Sequence, residues 1–108
     1  MAGKVVEITD SNFEELVLKS EKPVLIDLWA TWCGPCRLVA PTVEQIAEEY
    51  ESKIIVGKVD VDSNRQIATD FGVRAIPTLL ILKGGEEVDR LVGNQSKANI
   101  VAKIEEHL

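Results

Sequence analysis

The segment WATWCGPCRLVAP, residues 29–41, holds both cysteines of the chain and joins two stretches of different periodicity. The residues before it, PVLIDLW (23–29), form a nearly continuous apolar run, which is typical of a strand covered on both faces. Apolar residues after it recur at helical spacing to about Glu49. Pro41 lies inside this helix, where we expect a kink because proline cannot donate a backbone hydrogen bond. The cysteines therefore lie between a buried strand and a helix.

A β-then-α order is also predicted before this segment. Residues 5–8 (VVEI) form a short apolar stretch that predicts a strand. Ser11 and Glu14 have the spacing of a capping box, so we expect a helix to begin at about Ser11.

The same order continues after the cysteines. A strand at 54–61 is followed by a short helix, which Asp62 or Ser63 can cap. The stretches IPTLLIL, KGGE and EVDRLV predict a hairpin, and Ser96 then caps a final helix. The buried side of that helix is expected to contain Ile100, Val101, Ile104 and Leu108. Alternation followed by a hairpin predicts a mixed central sheet with helices on both faces.

Length and charge exclude several classes of function. With 108 residues, 45% of them hydrophobic, the chain fits a single domain over residues 1–108. Its 12 basic and 18 acidic residues give a net charge of −6, which disfavours nucleic acid and anionic membranes as partners. The start of the chain does not have the pattern of a signal peptide, and its apolar runs are too short for a membrane helix. We therefore expect a cytoplasmic protein, in which a lasting structural disulfide is disfavoured.

The spacing of Cys33 and Cys36 suits a reversible redox pair. Residues i and i+3 of a first helical turn share a face, so the two can close a disulfide or release two thiols with little backbone movement. The helix N-terminus stabilises a thiolate at Cys33, and Arg37 adds a positive charge nearby. Gly34 lets another backbone approach the sulfur, and Pro35 stiffens the turn without losing a hydrogen bond.

A metal site is the main alternative for a CxxC pair. A structural zinc site needs four ligands, and beyond the two cysteines the chain offers one histidine, His107, which we expect to be a solvated residue at a helix end. No metal is therefore expected. A Cys/His hydrolase is disfavoured as well, because nothing in the sequence places His107 beside Cys33.

The segments DLWATWCGPCRLVAP, VRAIPTLLIL and DRLVGNQSK resemble, in this order, the landmarks of the thioredoxin family, and the resemblance covers essentially the whole chain. It implies an α/β protein with the thioredoxin fold, a central mixed five-stranded sheet flanked by four helices. It also implies a protein-disulfide reductase that works by dithiol–disulfide exchange. In that reaction Cys33 is the exposed nucleophile and Cys36 the shielded thiol that resolves the mixed disulfide.

The resemblance gives two charged residues a role. Asp27 lies among apolar neighbours and would exchange a proton with Cys36, since a desolvated carboxyl has a raised pKa. The alternative is an aspartate at a strand edge. Lys58 resembles the family lysine near that acid, and the alternative is a strand lysine whose ammonium reaches solvent.

Five further residues would form a substrate-binding surface if the resemblance holds: Trp32, Ile76, Pro77, Val92 and Gly93. Pro77 resembles the family's cis-proline, although a proline that merely begins a strand is the plainer interpretation. The other four could equally be ordinary core residues, and Trp29 is expected to support the motif from beneath.

The resemblance also implies partners. It implies no bound cofactor beyond the redox-active Cys33–Cys36 disulfide, with electrons coming from NADPH through a flavin-containing thioredoxin reductase. A ferredoxin-linked reductase would suit the same sequence. Disulfide-containing target proteins are the expected substrates, and the chain is expected to be a monomer. Two rivals stay open: a disulfide-forming oxidase on the same fold, and a binding module whose redox chemistry is incidental.

Overall fold

The computed structural model describes residues 4–108 and contains the predicted order of elements. The strands are β1 Val5–Glu7, β2 Val24–Trp29, β3 Ile55–Asp60, β4 Thr78–Lys83 and β5 Glu86–Val92. The helices are a π-helical segment Glu14–Leu18, α1 Gly34–Glu49, α2 Arg65–Asp70 and α3 Lys97–Glu105. Five strands and four helical segments confirm the expected architecture. No helix among the described residues has both the length and the apolar composition that crossing a membrane requires.

The five strands form one mixed sheet in the order β1-β3-β2-β4-β5. β1 and β2 both pair with β3 in parallel, whereas β4 pairs antiparallel with β2 and β5 antiparallel with β4. Gly84 and Gly85, with φ angles of 62° and 82°, make the turn between β4 and β5, a conformation that glycine adopts without a steric cost. The predicted hairpin and the mixed sheet are both confirmed.

β2 lies in the middle of the sheet and contributes to a core on each face. Leu25 packs with the buried side chains of α1 and α3 on one face. Ile26 and Leu28 pack on the other face with Val17 of the π-helical segment and Ile67 of α2. Because the sheet is covered on both sides, the apolar run before the cysteines is buried almost throughout. This strand delivers the chain to the cysteine pair.

The capping box predicted at Ser11 and Glu14 is wrong. The reciprocal bonds are made two residues earlier, where the backbone N–H of Thr9 donates to Asn12 Oδ1 at 2.8 Å and that of Asn12 donates to Thr9 Oγ1 at 3.2 Å. A threonine and an asparagine three residues apart can satisfy each other's backbone donors in the same way as the Ser-x-x-Glu pair. The regular helical segment then starts only at Glu14.

The cap predicted for α2 at Asp62 or Ser63 is also wrong. Asn64 occupies the N-cap position, and the exposed N–H groups of the first turn are bound by a carboxylate from a distant part of the chain. Gln66 N and Ile67 N donate to the two oxygens of Asp10, at 3.4 and 3.1 Å. Asp10 and Ile67 are 57 positions apart in the sequence, so no local sequence pattern indicates this cap.

The last helix agrees with the sequence at its start and differs at its end. Ser96 accepts a hydrogen bond from Asn99 N at 3.1 Å, which confirms the predicted cap. Ile100 and Ile104 are buried as expected. Leu108 is 46% exposed, so its predicted burial is wrong; the helix ends at Glu105, and the residues beyond it no longer follow the helical face.

Candidate active site

Cys33 and Cys36 are joined by a disulfide at the start of α1. Cys33 is the N-cap residue, its Cα atom lies 5.3 Å from that of Cys36, and its sulfur accepts a hydrogen bond from Cys36 N at 3.2 Å. The predicted placement of the pair on a first helical turn is confirmed. Both residues are 3% exposed in this disulfide form, so the greater exposure expected for Cys33 is not seen here.

The two residues between the cysteines occupy the first positions of α1. Pro35 stands in the first turn, where its missing N–H would have no partner within the helix. A Cβ atom added to Gly34 would have no neighbour within 4 Å, so the space beside the disulfide is open to an incoming group. No neighbouring atom therefore blocks the approach of a second molecule at Gly34.

The segment before β4 lies against the disulfide. Ile76 O is 3.9 Å from Cys33 Sγ, and the Ile76 side chain packs with both cysteines. The Ile76–Pro77 peptide bond is cis, as the resemblance implied. Gly93 N donates to Pro77 O at 2.8 Å, which joins this segment to the end of β5. Residues far apart in sequence thus meet at one edge of the sheet.

Two apolar side chains near the disulfide are exposed to solvent. Trp32, 66% exposed, precedes Cys33, and Val92, 50% exposed, pairs with Thr78 at the start of β4. The indole of Trp32 donates to Asp62 Oδ2 at 2.9 Å. Sequence reasoning placed Asp62 at a helix cap and missed this contact, because no local pattern links residues 32 and 62. We call Trp32, Ile76, Pro77, Val92 and Gly93 together the apolar surface.

Asp27 is buried on the α1 side of β2, and this excludes an aspartate at a strand edge. It is 4% exposed, and its Oδ1 atom has no hydrogen-bond partner among the described residues. Burial raises the pKa of Asp27 to about 7, and the positive charge of Lys58 opposes this shift. Lys58 is the direct neighbour of Asp27 in the β2–β3 register. The carboxyl can therefore gain and lose a proton near neutral pH.

Asp27 and Cys36 both line a pocket of about 160 Å³ behind the disulfide. Trp29 and Lys58 also line it, and the Lys58 ammonium lies 5.5 Å from the centre of the Trp29 ring. Lys58 thus reaches back along the sheet toward the site, with its ammonium over an aromatic face. The pocket brings an ionisable carboxyl and one of the two cysteines to a common space.

His107 is not the freely solvated residue that the sequence suggested. Its Nε2 atom lies 3.1 Å from Asp89 Oδ2, and both side chains are about one-fifth exposed. Lys103 approaches the same oxygen at 3.7 Å. His107 therefore belongs to a polar contact between the C-terminal segment and β5, and it plays no part in the arrangement around Cys33.

A disulfide at a helix N-terminus, an apolar surface beside it and a buried carboxyl behind it suit thiol–disulfide exchange. The described site contains the predicted residues Cys33, Cys36, Asp27, Lys58, Gly34, Pro35, Trp32, Ile76, Pro77, Val92 and Gly93. The helix start brings the cysteines together with Gly34 and Pro35, and Trp32 directly precedes them. The sheet and its connections bring the other residues to them.

Comparison with known proteins agrees with this chemistry. A family model described as Thioredoxin matches residues 4–106. The protein named "Thioredoxin" from Chlorobaculum thiosulfatiphilum is 51% identical over 107 residues, which are 99% of this chain and 99% of that protein. "Thioredoxin 1" of a Nostoc species is 53% identical over 102 residues, covering 94% of this chain and 95% of its own length.

A third relative is larger. The "Bifunctional thioredoxin reductase/thioredoxin" of Mycobacterium leprae is 49% identical over 100 residues, which are 93% of this chain and 22% of that protein. Thioredoxins are thiol–disulfide oxidoreductases whose redox-active group is a disulfide of the protein itself, with no bound cofactor. The family match over nearly every residue and the two relatives of equal length leave one conclusion: the chain belongs to the thioredoxin family.

Proposed function

We propose that this chain is a general protein-disulfide reductase in which Cys33 attacks and Cys36 resolves. The observation that carries this proposal is the disulfide at the N-terminus of α1, against the Ile76–Pro77 segment. In the reduced chain, the Cys33 thiolate attacks one sulfur of a substrate disulfide. The substrate bond breaks, a mixed disulfide forms, and the other substrate sulfur leaves as a thiolate and takes up a proton.

Cys36 completes the reaction. Its thiolate attacks Cys33 Sγ, the bond between Cys33 and the substrate breaks, and the second substrate sulfur leaves. The substrate gains two electrons and two protons, and the chain is left with its own disulfide. Gly34 and Pro35 tune this couple by holding Cys33 at the helix N-terminus, where backbone N–H groups favour the thiolate.

The apolar surface is proposed to bind the polypeptide around the substrate disulfide. Trp32 and Val92 offer exposed apolar area next to Cys33, and such area is best explained by a partner that covers it. Ile76, Pro77 and Gly93 complete the surface, because the Ile76 carbonyl lies beside Cys33 Sγ and Gly93 N donates to the carbonyl of Pro77.

Asp27 is proposed to accept the proton of Cys36 when the mixed disulfide is resolved. The two residues share one pocket, and a carboxyl with a pKa of about 7 can take up and release a proton at neutral pH. Lys58, the neighbour of Asp27 across the strand pair, favours the ionised carboxylate and so sets how readily the proton moves.

Asp27→Asn is expected to slow the resolution of the mixed disulfide. It is also expected to raise the free energy of unfolding at neutral pH and above. In the folded chain Asp27 stays protonated up to about pH 7, whereas in the unfolded chain it ionises near its ordinary value of 3.8. Between these values the unfolded state holds fewer protons than the folded state, so stability is lost as pH rises through this window. The wild type should lose roughly 2 to 4 kcal/mol on this account between pH 4 and pH 8.

Denaturant unfolding of the reduced proteins at pH 4 and pH 8 measures this effect. The free energy of unfolding of the asparagine variant should exceed that of the wild type at pH 8 and differ little from it at pH 4. Asp60→Asn, which changes a half-exposed carboxyl at the end of β3, is a matched control. An equal gain for Asp27→Asn at both pH values would contradict the assigned ionisation.

The remaining proposals concern partners and setting. A thioredoxin reductase that draws on NADPH is proposed as the electron donor, supported by the Mycobacterium leprae relative whose name joins a reductase and a thioredoxin. Disulfide-containing proteins are the proposed targets. We also propose that residues 1–108 act as one domain, in keeping with the length, and that the protein is a monomer in the cytoplasm.

Equilibration with glutathione tests the direction of electron flow. A reductase of this kind should remain largely in its disulfide form at a cytosolic ratio of reduced to oxidised glutathione, because its dithiol is the stronger reductant. A disulfide-forming oxidase would be reduced under the same conditions, and each 30 mV between the couples corresponds to about 1.4 kcal/mol. Acid trapping and thiol alkylation at several ratios give the potential, and full reduction at the cytosolic ratio would refute the proposal.

A further inference from the structure

α2 is held at its N-terminal end by residues outside the helix. With six residues, Arg65–Asp70, it is too short to be stable by itself. The carboxylate of Asp10 accepts hydrogen bonds from two N–H groups of its first turn. Asn64, only 6% exposed, joins the same region through Asp10 N at 2.9 Å and Asp60 O at 3.1 Å. This end of the helix is therefore fixed to the sheet.

Arg90 of β5 holds the other end. Its Nη2 atom donates to the carbonyl oxygen of Phe71, the C-cap residue of α2, at 2.6 Å. The same guanidinium binds Glu87 through two bonds of 2.7 Å, from Nε to Oε2 and from Nη2 to Oε1. Such a two-point carboxylate contact fixes the plane of the guanidinium. Arg90 can then hold Phe71 in a defined position.

The chain after Phe71 leads directly to the disulfide. It turns at Gly72, with a φ of 61°, and is fixed again at Ala75, whose carbonyl accepts from Thr78 Oγ1 at 2.6 Å. The next residue is Ile76, whose carbonyl lies 3.9 Å from Cys33 Sγ. Val73 N also donates to Ala68 O at 2.9 Å, and the Phe71 ring packs on Phe13. Arg90 thus adds the side-chain hydrogen bond at the start of the segment 71–76, and Thr78 holds its end.

We propose that Arg90 is a positioning residue for substrate binding, acting through Phe71 on the segment that presents Ile76 beside Cys33. The opposite end of α2 is fixed by Asp10, so loss of the Arg90 contact would be felt mainly in the segment 71–76. This inference rests on the proposed role of the apolar surface. It predicts that Arg90 matters for substrates large enough to contact that surface and matters little for the sulfur chemistry itself.

Arg90→Met tests this inference, because methionine retains an apolar stem and removes the guanidinium. The dithiothreitol-reduced proteins would be mixed in single turnovers with insulin and with a small aromatic disulfide. The second-order rate constant with insulin should fall about ten-fold, the lower end of the loss expected when one charge-assisted hydrogen bond is removed. The rate constant with the small disulfide should stay at the wild-type value.

Two further variants make the result decisive. Lys97→Met removes another ion pair, the 2.7 Å contact between Lys97 and Glu49, away from the segment 71–76, and it should change neither rate. Glu87→Gln weakens the contact that holds the guanidinium while leaving Arg90 present. It should lower the rate constant with insulin less than Arg90→Met does and leave the rate constant with the small disulfide unchanged. This variant also provides the test if Arg90→Met folds poorly. Equal losses on both disulfides, or wild-type rates on both, would overturn the positioning role. Failure of the wild type to reduce insulin would instead overturn the proposed function.

Discussion

Cys33→Ser is expected to abolish the reduction of insulin disulfides. A serine hydroxyl is not ionised at neutral pH and cannot form the mixed disulfide, so the first step of exchange has no nucleophile. We do not expect Cys36 to replace it, because Cys36 lines the pocket with Asp27, whereas Cys33 lies against Ile76 of the apolar surface. The measurement is the increase in turbidity as the reduced insulin chains precipitate, with dithiothreitol as reductant. For Cys33→Ser the rate of this increase should equal the rate with dithiothreitol alone.

Loss of the disulfide itself must be separated from loss of the nucleophile. The reduced wild type is the matched control for stability, because neither it nor the variant contains the Cys33–Cys36 bond. The two should unfold at similar denaturant concentrations. A folded Cys33→Ser protein that reduces insulin at the wild-type rate would remove Cys33 from the mechanism.

Cys36→Ser is expected to stop the reaction one step later. Cys33 still attacks, but without the second thiol the mixed disulfide can be released only by an external reductant. Covalent complexes with target proteins should therefore accumulate. They would be detected as bands of increased mass on a non-reducing gel and should disappear when dithiothreitol is added.

The double variant Cys33→Ser, Cys36→Ser is the matched control for this trap. It keeps the fold and the apolar surface but has no thiol, so any band that survives in it is not a mixed disulfide. Complexes absent from Cys36→Ser, or equally abundant in the double variant, would show that the two cysteines do not divide the reaction as proposed.

Local features of the sequence were sufficient for most of the fold. The order of strands and helices was confirmed, because hydrophobic periodicity and the glycine turn at 84–85 report on each element separately. The spacing of Cys33 and Cys36 also indicated that they can form a disulfide, because residues three apart on a first helical turn share a face. The burial of Asp27 followed from its apolar neighbours.

The capping interactions were predicted poorly, even where the helices were right. Ser11 and Asp62 both have suitable side chains, yet the bonds are made by other residues. Several polar side chains near a helix start can accept hydrogen bonds from the same few backbone N–H groups. The path of the chain into the helix decides which side chain comes within hydrogen-bond distance. That path depends on how the helix packs against the sheet.

The assembly of the site was decided by tertiary structure. The indole of Trp32 meets Asp62, the cap of α2 comes from Asp10, and Arg90 reaches Phe71, each across 19 or more positions of sequence. Each of these contacts joins residues that belong to, or follow, different strands of the sheet. Neither hydrophobic periodicity nor residue spacing encodes such contacts. Sequence periodicity identifies helices and strands because the side chains of each repeat along the chain with a characteristic period. Contacts between these elements depend on how the whole sheet is assembled, and they appear only when the sheet has formed.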